Sequence, residues 1–548
     1  MHLATPEPLS SPAFFARPRR SQKVRPGRRE EPAGRPAEGA LAGRSALGRV
    51  GRGWAIVVAA LATFLFHLSA RLATPDPWSY DEYYHLGVAR ELVHHFPLRA
   101  FPWTPFSILA DHYADKEILF HLLLMPFAGL PIATAGTLGV ALGQIFLVAA
   151  FAWTLWHLRV PFAPGLVLGL AALGPLFAYR ISMCRPHVFM VGFSLLVLGF
   201  LLGGERRGWR GWKTGLPLFL VAALFGVTHT AGWVSIAFAL IYAAAGWLAV
   251  GEERRFLGVP LAWTAGGWLA GQILHPNFPE NFRLLWLQNA VVPFQSAGGG
   301  SAALAAVAGA ELTRPSLALL LEQWPAFLAP LFALYLLLRD RELRTRSTVT
   351  VEILALAFLA AGSLAFQRLL EVGAPLGLLA LALVTAERRA ADRPSRGGWG
   401  PWIAVLVLGI GAVWTFTLVR ERGFGSSYPQ EMARWLGEHG EKGARVFTAQ
   451  WGDSAPLLYF APQLQSLVAL DPTFFLVKDP ALFNQYVEIA LGRNPDPVPA
   501  IRQRFGARYI TVWRAPVYGA LAAQLGHDPR ARLLYRDSYY LIWELSSP

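Results

Sequence analysis

Thirteen residues, ILFHLLLMPFAGL (Ile118–Leu130), decide how this chain is threaded. A helix that crosses a bilayer needs about 20 predominantly apolar residues. This run is shorter and contains His121 and Pro126. Read as a juxtamembrane or re-entrant helix, it leaves the direction of the chain unchanged. Trp54–Leu72 then runs outward, Ala133–Trp156 inward, Val160–Tyr179 outward and Val188–Leu202 inward. The consequence appears in later turns. "ERRGWRGWK" (Glu205–Lys213), "EERR" (Glu252–Arg255), "RDRELRTR" (Arg339–Arg346) and "ERRAADRPSR" (Glu387–Arg396) all fall on the cytoplasmic side, where basic turns belong. Counting Ile118–Leu130 as a crossing puts every one of them outside, so the positive-inside rule selects the shorter reading.

Composition supports a polytopic membrane protein. Of 548 residues, 54% are hydrophobic and 15% charged, with a mean hydropathy of +0.38; soluble domains carry about a quarter charged residues. Further spans are expected near Leu216–Val227, Trp233–Val250, Phe256–Leu274, Ser316–Leu338, Thr348–Phe366, Leu369–Thr385 and Pro401–Val419. The total is about 11 spans plus juxtamembrane helices, with the C-terminal end outside. Residues 1–53 carry 11 Lys/Arg against 4 Asp/Glu and are rich in Pro and Gly. They read as a disordered basic cytoplasmic tail that fixes topology, so the formal charge of +14 does not signal nucleic-acid binding. Cys184, the single cysteine, excludes an intrachain disulfide and reads as a small packing residue. After about Arg420, "RVFTAQ", "SLVALD", "RYITVW" and "YYLIWEL" alternate with helical stretches. This pattern predicts a small extracytoplasmic α/β domain over 421–548. It follows a transmembrane domain over 54–420 whose first outer loop, 73–132, is large.

The threading gathers unusual polar residues at one face. The first loop supplies Asp81, Glu82 and His85, then Asp111, His112, Asp115, Lys116 and Glu117. The turn "RISMCRPH" supplies Arg185 and His187, "VTHTAGW" supplies His229, and a long outer loop supplies Glu311 in "AELTRP". Arg368 tops a later hairpin. Ionisable groups near bilayer depth are costly and usually line a polar cavity. Asp81 and His85, four apart, share a helical face; a carboxylate there can bind a divalent cation, take a proton or simply cap a helix. Arg185 and Arg368 suit bidentate capture of a lipid phosphate, or equally snorkelling to headgroups, with Glu371 as a local partner for Arg368. His94, His95, His112 and His121 fit no simple helical pair and read as interfacial histidines.

The run Asp-any-Tyr-Tyr-His at Asp81–His85, continued by "ELVHHFP", resembles the catalytic subunit of oligosaccharyltransferase, particularly archaeal forms. "YDE" followed by a helix also resembles the lipid A aminoarabinose transferases and protein O-mannosyltransferases. All are membrane glycosyltransferases of the GT-C class. The resemblance implies transfer of a sugar or oligosaccharide from a polyprenyl-phosphate-linked donor to an acceptor at the outer face of the plasma (inner) membrane. It implies Asp81 and Glu82 as catalytic acids, and Arg368 with Arg185 at the donor phosphate. It further implies a divalent cation (Mg or Mn) held by Asp81, Glu311 and His187, with His85, Lys116 and His229 elsewhere in the pocket. The expected partners are the lipid-linked sugar, the surrounding membrane lipid and an unidentified acceptor, with no nucleic acid. Departures are visible. "CRPH" stands where oligosaccharyltransferases have an Asp-any-Asp motif, Glu311 has an extra residue before its proline, and "QWGDS" (Gln450–Ser454) resembles the sequon-reading Trp-Trp-Asp-Tyr-Gly without its first Trp or its Tyr-Gly ending. Two rivals remain open at this level: a lipid transporter or flippase, which requires polar residues and broken helices near the midplane, and a non-enzymatic membrane scaffold.

Overall fold

The computed structural model describes residues 38–74, 76–207, 212–250, 257–295, 303, 314–391, 400–422, 425–468 and 471–546. The chain divides into two units, Met1–Arg52 and Gly53–Pro548, and the fold resides in the second. Most of the tail expected over 1–53 lies outside the described residues, as does Glu311; the first helix, α1 (Glu38–Leu72), begins inside the expected tail.

Helices follow the apolar runs. Five are long and apolar enough to cross a membrane: Gly51–Leu72 of α1, Ile132–His157 (α4), His187–Glu205, Arg346–Leu364 and Gln367–Ala390. Two further apolar helices, Ala163–Ala172 and Pro175–Ile181, meet at a bend of 93°, as a broken span or a re-entrant loop, where Gly174 adopts φ +106° and Pro175 starts the new helix. Four shorter apolar helices accompany them: Ile118–Phe127, Trp212–Thr228, Thr230–Ala245 and Trp324–Arg339. The expected count of about 11 spans therefore exceeds the five or six that length and composition support among the described residues. Burial ranks the helices. The α1 window is 33% buried and has Trp54, Leu61 and Leu65 outward, whereas the helix from His187 is 83% buried at the centre.

The segment Ile118–Leu130 forms a seven-residue helix, α3 (Ile118–Leu124), and a short turn Met125–Phe127. Asp81, which precedes it, is ion-paired with Arg185, which follows α4 and a bent pair of shorter helices, so the two ends of this stretch meet. At seven residues α3 is by itself too short to cross a membrane. Turns assigned to the other side also meet one another. Arg346 lies 3.6 Å from Glu205, the Val250 amide donates to the Arg344 carbonyl at 2.8 Å, and the Arg389 guanidinium stands 3.9 Å over the Phe162 ring.

α2 (Tyr80–His94) carries the first loop onto the bundle. The Glu82 carboxylate accepts from Arg71 Nη2 at 2.7 Å and from the Trp78 amide at 3.3 Å, tying α1 to α2 with both ionised side chains fully buried. Gly136 of α4 makes room for this pair: a Cβ there would overlap the Glu82 carboxylate and press on Arg71. The C-terminal residues form a four-stranded sheet in the order β1-β2-β4-β3, with β1 (Val446–Thr448) parallel to β2 (Tyr509–Trp513) and β4 (Tyr540–Leu545) antiparallel to β2 and to β3 (Ala531–Arg536). It shares an apolar core with the first loop through Tyr83, Phe101, Leu458, Phe474 and Phe475.

Candidate active site

A cavity of about 620 Å³ lies where α2, α3, the 180–187 turn, the 367–371 turn and the C-terminal residues meet. Eight of the polar residues singled out at span ends line it: Asp81, His85, Lys116, Glu117, Arg185, His187, His229 and Arg368. They come from five separate stretches of chain. Asp81 reaches the wall because it starts α2, and His85 follows one helical turn later. Arg368 sits in a short turn, Gln367–Leu369, between two long apolar helices.

Charge in the cavity is arranged by pairs. Arg185 Nη2 is 2.5 Å from Asp81 Oδ2, with both side chains about four-fifths buried. Arg180 donates from Nε to Glu371 Oε2 at 2.5 Å and from Nη2 to Oε1 at 3.4 Å. The His187 ring donates from Nε2 to the Arg180 carbonyl at 2.8 Å and lies 3.7 Å from Glu371. Glu371, expected as a partner for Arg368, is thus engaged by Arg180 across 191 residues of sequence. Lys116 Nζ is 3.4 Å from Glu117 Oε1, and His229 Nδ1 accepts from the Ala231 amide at 3.0 Å. Four permanent cations therefore face the cavity: Lys116, Arg180, Arg185 and Arg368.

Two expected roles need correction. Glu82 does not line the cavity. It is one residue from Asp81, hence about 100° around the helix, and its carboxylate is spent on Arg71. Its buried pair with Arg71 sets it apart from the residues that face the hollow. The expected cation ligands also fail to assemble among the described residues. Asp81 is held by a guanidinium, and the His187 ring donates to a backbone carbonyl. With Asp81 engaged by Arg185 and His187 Nε2 by a carbonyl, and with Mg and Mn preferring all-oxygen shells, the pair Asp81 and His187 does not fit Mg or Mn.

Sequence reasoning missed Arg180 and assigned Glu371 only to Arg368, because the Arg180–Glu371 partnership carries no local signal. It also placed His121 at the interface. His121 is fully buried; its Nε2 stands 2.9 Å from His85 Nδ1, and its Nδ1 meets the Asp115 carboxylate at 2.7 and 2.8 Å. Burial holds His85 well below the usual histidine range and pushes Glu117 up. The segment "QWGDS" packs over the start of α2. Trp451 lines the cavity, Gln450 Nε2 donates to Tyr80 Oη at 3.1 Å, and Asp453 accepts from Tyr540 Oη at 2.7 Å.

No protein-family model and no curated protein matches the sequence. Solved structures do match in fold. The archaeal oligosaccharyltransferase AglB from Archaeoglobus fulgidus, in complex with an inhibitory peptide and a dolichol-phosphate, superimposes with a TM-score of 0.58 at 12% identity, covering 90% of this chain and 74% of that one. ArnT from Cupriavidus metallidurans, bound to undecaprenyl phosphate, gives 0.56 at 16% identity, over 90% and 99% of the two chains. The arabinofuranosyltransferase AftD from Mycobacteria gives 0.52 at 14% identity, over 90% of this chain and 40% of its own. These neighbours are GT-C glycosyltransferases, and this multi-pass chain shares their fold.

Proposed function

Starting from the GT-C fold, we propose that this chain is a glycosyltransferase. It moves a sugar or oligosaccharide from a polyprenyl-phosphate-linked donor to an acceptor at the extracytoplasmic face of the plasma (inner) membrane. In this reading residues 1–53 lie in the cytoplasm, 54–420 form the membrane domain and 421–548 form an extracytoplasmic cap. The observation that carries it is the shared cavity: Asp81 with its partner Arg185, and the cations Lys116 and Arg368, line the same hollow beside Glu117, Glu371 and Asp471, although they are far apart in sequence. Dolichol-phosphate in AglB and undecaprenyl phosphate in ArnT are lipids of the class that this charge pattern suits.

The chemistry follows from the charges. A nucleophilic O–H or N–H of the acceptor attacks the anomeric carbon, and the bond from that carbon to the phosphate oxygen breaks. The electron pair leaves with the phosphate, where Arg368 and Lys116 stabilise the developing negative charge. Asp81, oriented by Arg185, takes the proton of the acceptor. Arg180 acts through its pair with Glu371, which fixes the turn carrying His187 against the helix that follows Arg368. The C-terminal residues, through Trp451 and Asp471, close the hollow against water.

The test is a complementation experiment. Polyprenyl-linked sugar phosphates are followed by mass spectrometry in cells lacking the protein, then in cells given wild type or Asp81→Asn. Accumulation relieved by wild type but not by the variant supports the reading. Equal relief by both removes the catalytic role of Asp81, and the absence of any lipid-linked sugar accumulation overturns the proposed donor.

A further inference from the structure

In the wall of the cavity, next to Lys116, lies a cluster that the transfer chemistry does not use. His85 of α2, Glu117 at the start of α3 and His121 of α3 are 2%, 4% and 0% exposed. Each offers a ligand atom within 4.8 Å of the others. His85 Nδ1 is 2.9 Å from His121 Nε2 and 3.8 Å from Glu117 Oε2. Two ligands of a tetrahedral zinc ion, each about 2.0–2.1 Å from the metal, stand about 3.3 Å apart. The separations of 2.9 and 3.8 Å fall on either side of that value, and the third pair of ligand atoms lies within 4.8 Å.

A histidine–histidine hydrogen bond accounts for the 2.9 Å contact but not for the carboxylate beside it. Glu117 uses Oε1 toward Lys116, while Oε2 is buried, faces the histidines and has no hydrogen-bond partner. A buried carboxylate oxygen left unsatisfied is costly, and a cation is what would satisfy it. The second layer is also in place. Both Asp115 carboxylate oxygens lie within 2.8 Å of His121 Nδ1, which places that nitrogen's proton toward Asp115 and leaves the Nε2 lone pair pointing into the cluster. Asp115 is itself fixed. Its amide donates to Asn277 Oδ1 at 3.2 Å, its carbonyl accepts from His275 Nε2 at 2.9 Å, and its Oδ1 also accepts from the Glu117 amide at 2.9 Å.

We propose that His85, Glu117 and His121 form a zinc site, oriented through Asp115, that fastens α2 to α3 at the wall of the cavity. Two imidazole nitrogens and one carboxylate oxygen suit zinc and disfavour magnesium or manganese, which prefer all-oxygen shells. The ion bridges the helix that presents Asp81 to the helix behind Lys116, and holds both groups at fixed positions facing the hollow. It is a positioning site, separate from Asp81 and His187.

The test uses the full-length protein, free of any affinity tag, purified in detergent, stripped with chelator and reloaded with zinc chloride alone. Bound zinc is counted by elemental mass spectrometry, and the melting temperature is followed with and without zinc. The expected result is stoichiometric zinc and a zinc-dependent rise in Tm. Glu117→Gln and His121→Ala should lose both, and Asp115→Asn should bind about 10–100-fold more weakly. A double variant of the exposed pair, His94→Ala with His95→Ala, should retain both, which separates the site from surface histidines. If His121→Ala does not fold, the near-isosteric Glu117→Gln decides. Wild type that takes up no zinc, or Glu117→Gln that takes up as much as wild type, overturns the site. Neither outcome bears on the complementation result for Asp81.

Discussion

The two ends of the helical bundle carry the same residue types and use them differently. At one end Arg346 reaches the Tyr242 and Ala243 carbonyls at 3.1 and 2.9 Å and Glu205 at 3.6 Å. There the guanidinium finishes a helix C-terminus and joins two turns, and neither Arg346 nor Glu205 lines the cavity. At the other end Arg180, Arg185 and Arg368 surround a hollow of about 620 Å³. Charge at a span end is therefore not a signature of a site. What distinguishes the two ends is whether the guanidinium closes on the protein's own carbonyls or borders open volume. Asp81 and Glu82 repeat the lesson within two residues: one faces the hollow, and the other is locked on Arg71.

That contrast can be broken by substitution. Asp81→Asn should lower transfer from a lipid-linked donor by about 10²–10⁴-fold, the range for removing a general base, with the melting temperature held. A similar loss accompanied by a large fall in Tm would make Asp81 a structural residue like its neighbour. Glu82→Gln should do the reverse. It leaves Arg71 buried beside a neutral amide, a change that costs about 3–5 kcal/mol in comparable buried pairs, so yield and Tm should fall while activity per folded molecule changes little. Unaltered Tm would return Glu82 to the list of candidate acids.

A third effect is read as pH dependence. Burial raises the Asp453 carboxyl from 3.8 to about 7, against the opposing pull of the Tyr540 and Tyr80 hydroxyls. The folded protein thus keeps a proton that the unfolded chain releases above about pH 4. The resulting stability is complete below that pH and is lost as pH rises through about 7. Melting temperature should fall between pH 5 and pH 8, about the interval bounded by the two states, and Asp453→Asn should flatten that slope. An identical slope in the variant would place the titration elsewhere. The smallest effect is expected at the opposite end of the bundle. Arg346→Ala should cost about 1–3 kcal/mol by leaving buried carbonyls unsatisfied, with turnover per folded molecule unchanged. A selective loss of turnover would show that the two ends are coupled.

Several features were legible from residue order alone. The shortness of Ile118–Leu130 and the basic turns beyond it fixed the threading, and the Asp81–Arg185 pair agrees with that threading. Eight of the residues picked at span ends line one cavity. The failures share a cause. Arg180 and Glu371 are 191 positions apart, and no periodicity links them. His121 lies on a helix too short to show a buried face by pattern, so only packing against α2 reveals that it meets His85. Helix length alone does not reproduce a count of about 11 spans, because several apolar stretches form helices of 10–17 residues among the described residues.

The sequence by itself determined which segments avoid water, which turns share a side and which ionisable residues stand at span ends, because hydropathy and net charge act locally along the chain. Tertiary structure alone decided which of those residues share a cavity and which cancel one another. A side chain's direction depends on its rotation about the helix and on the neighbour it meets, and Asp81 and Glu82, adjacent in the chain, end on different partners for that reason.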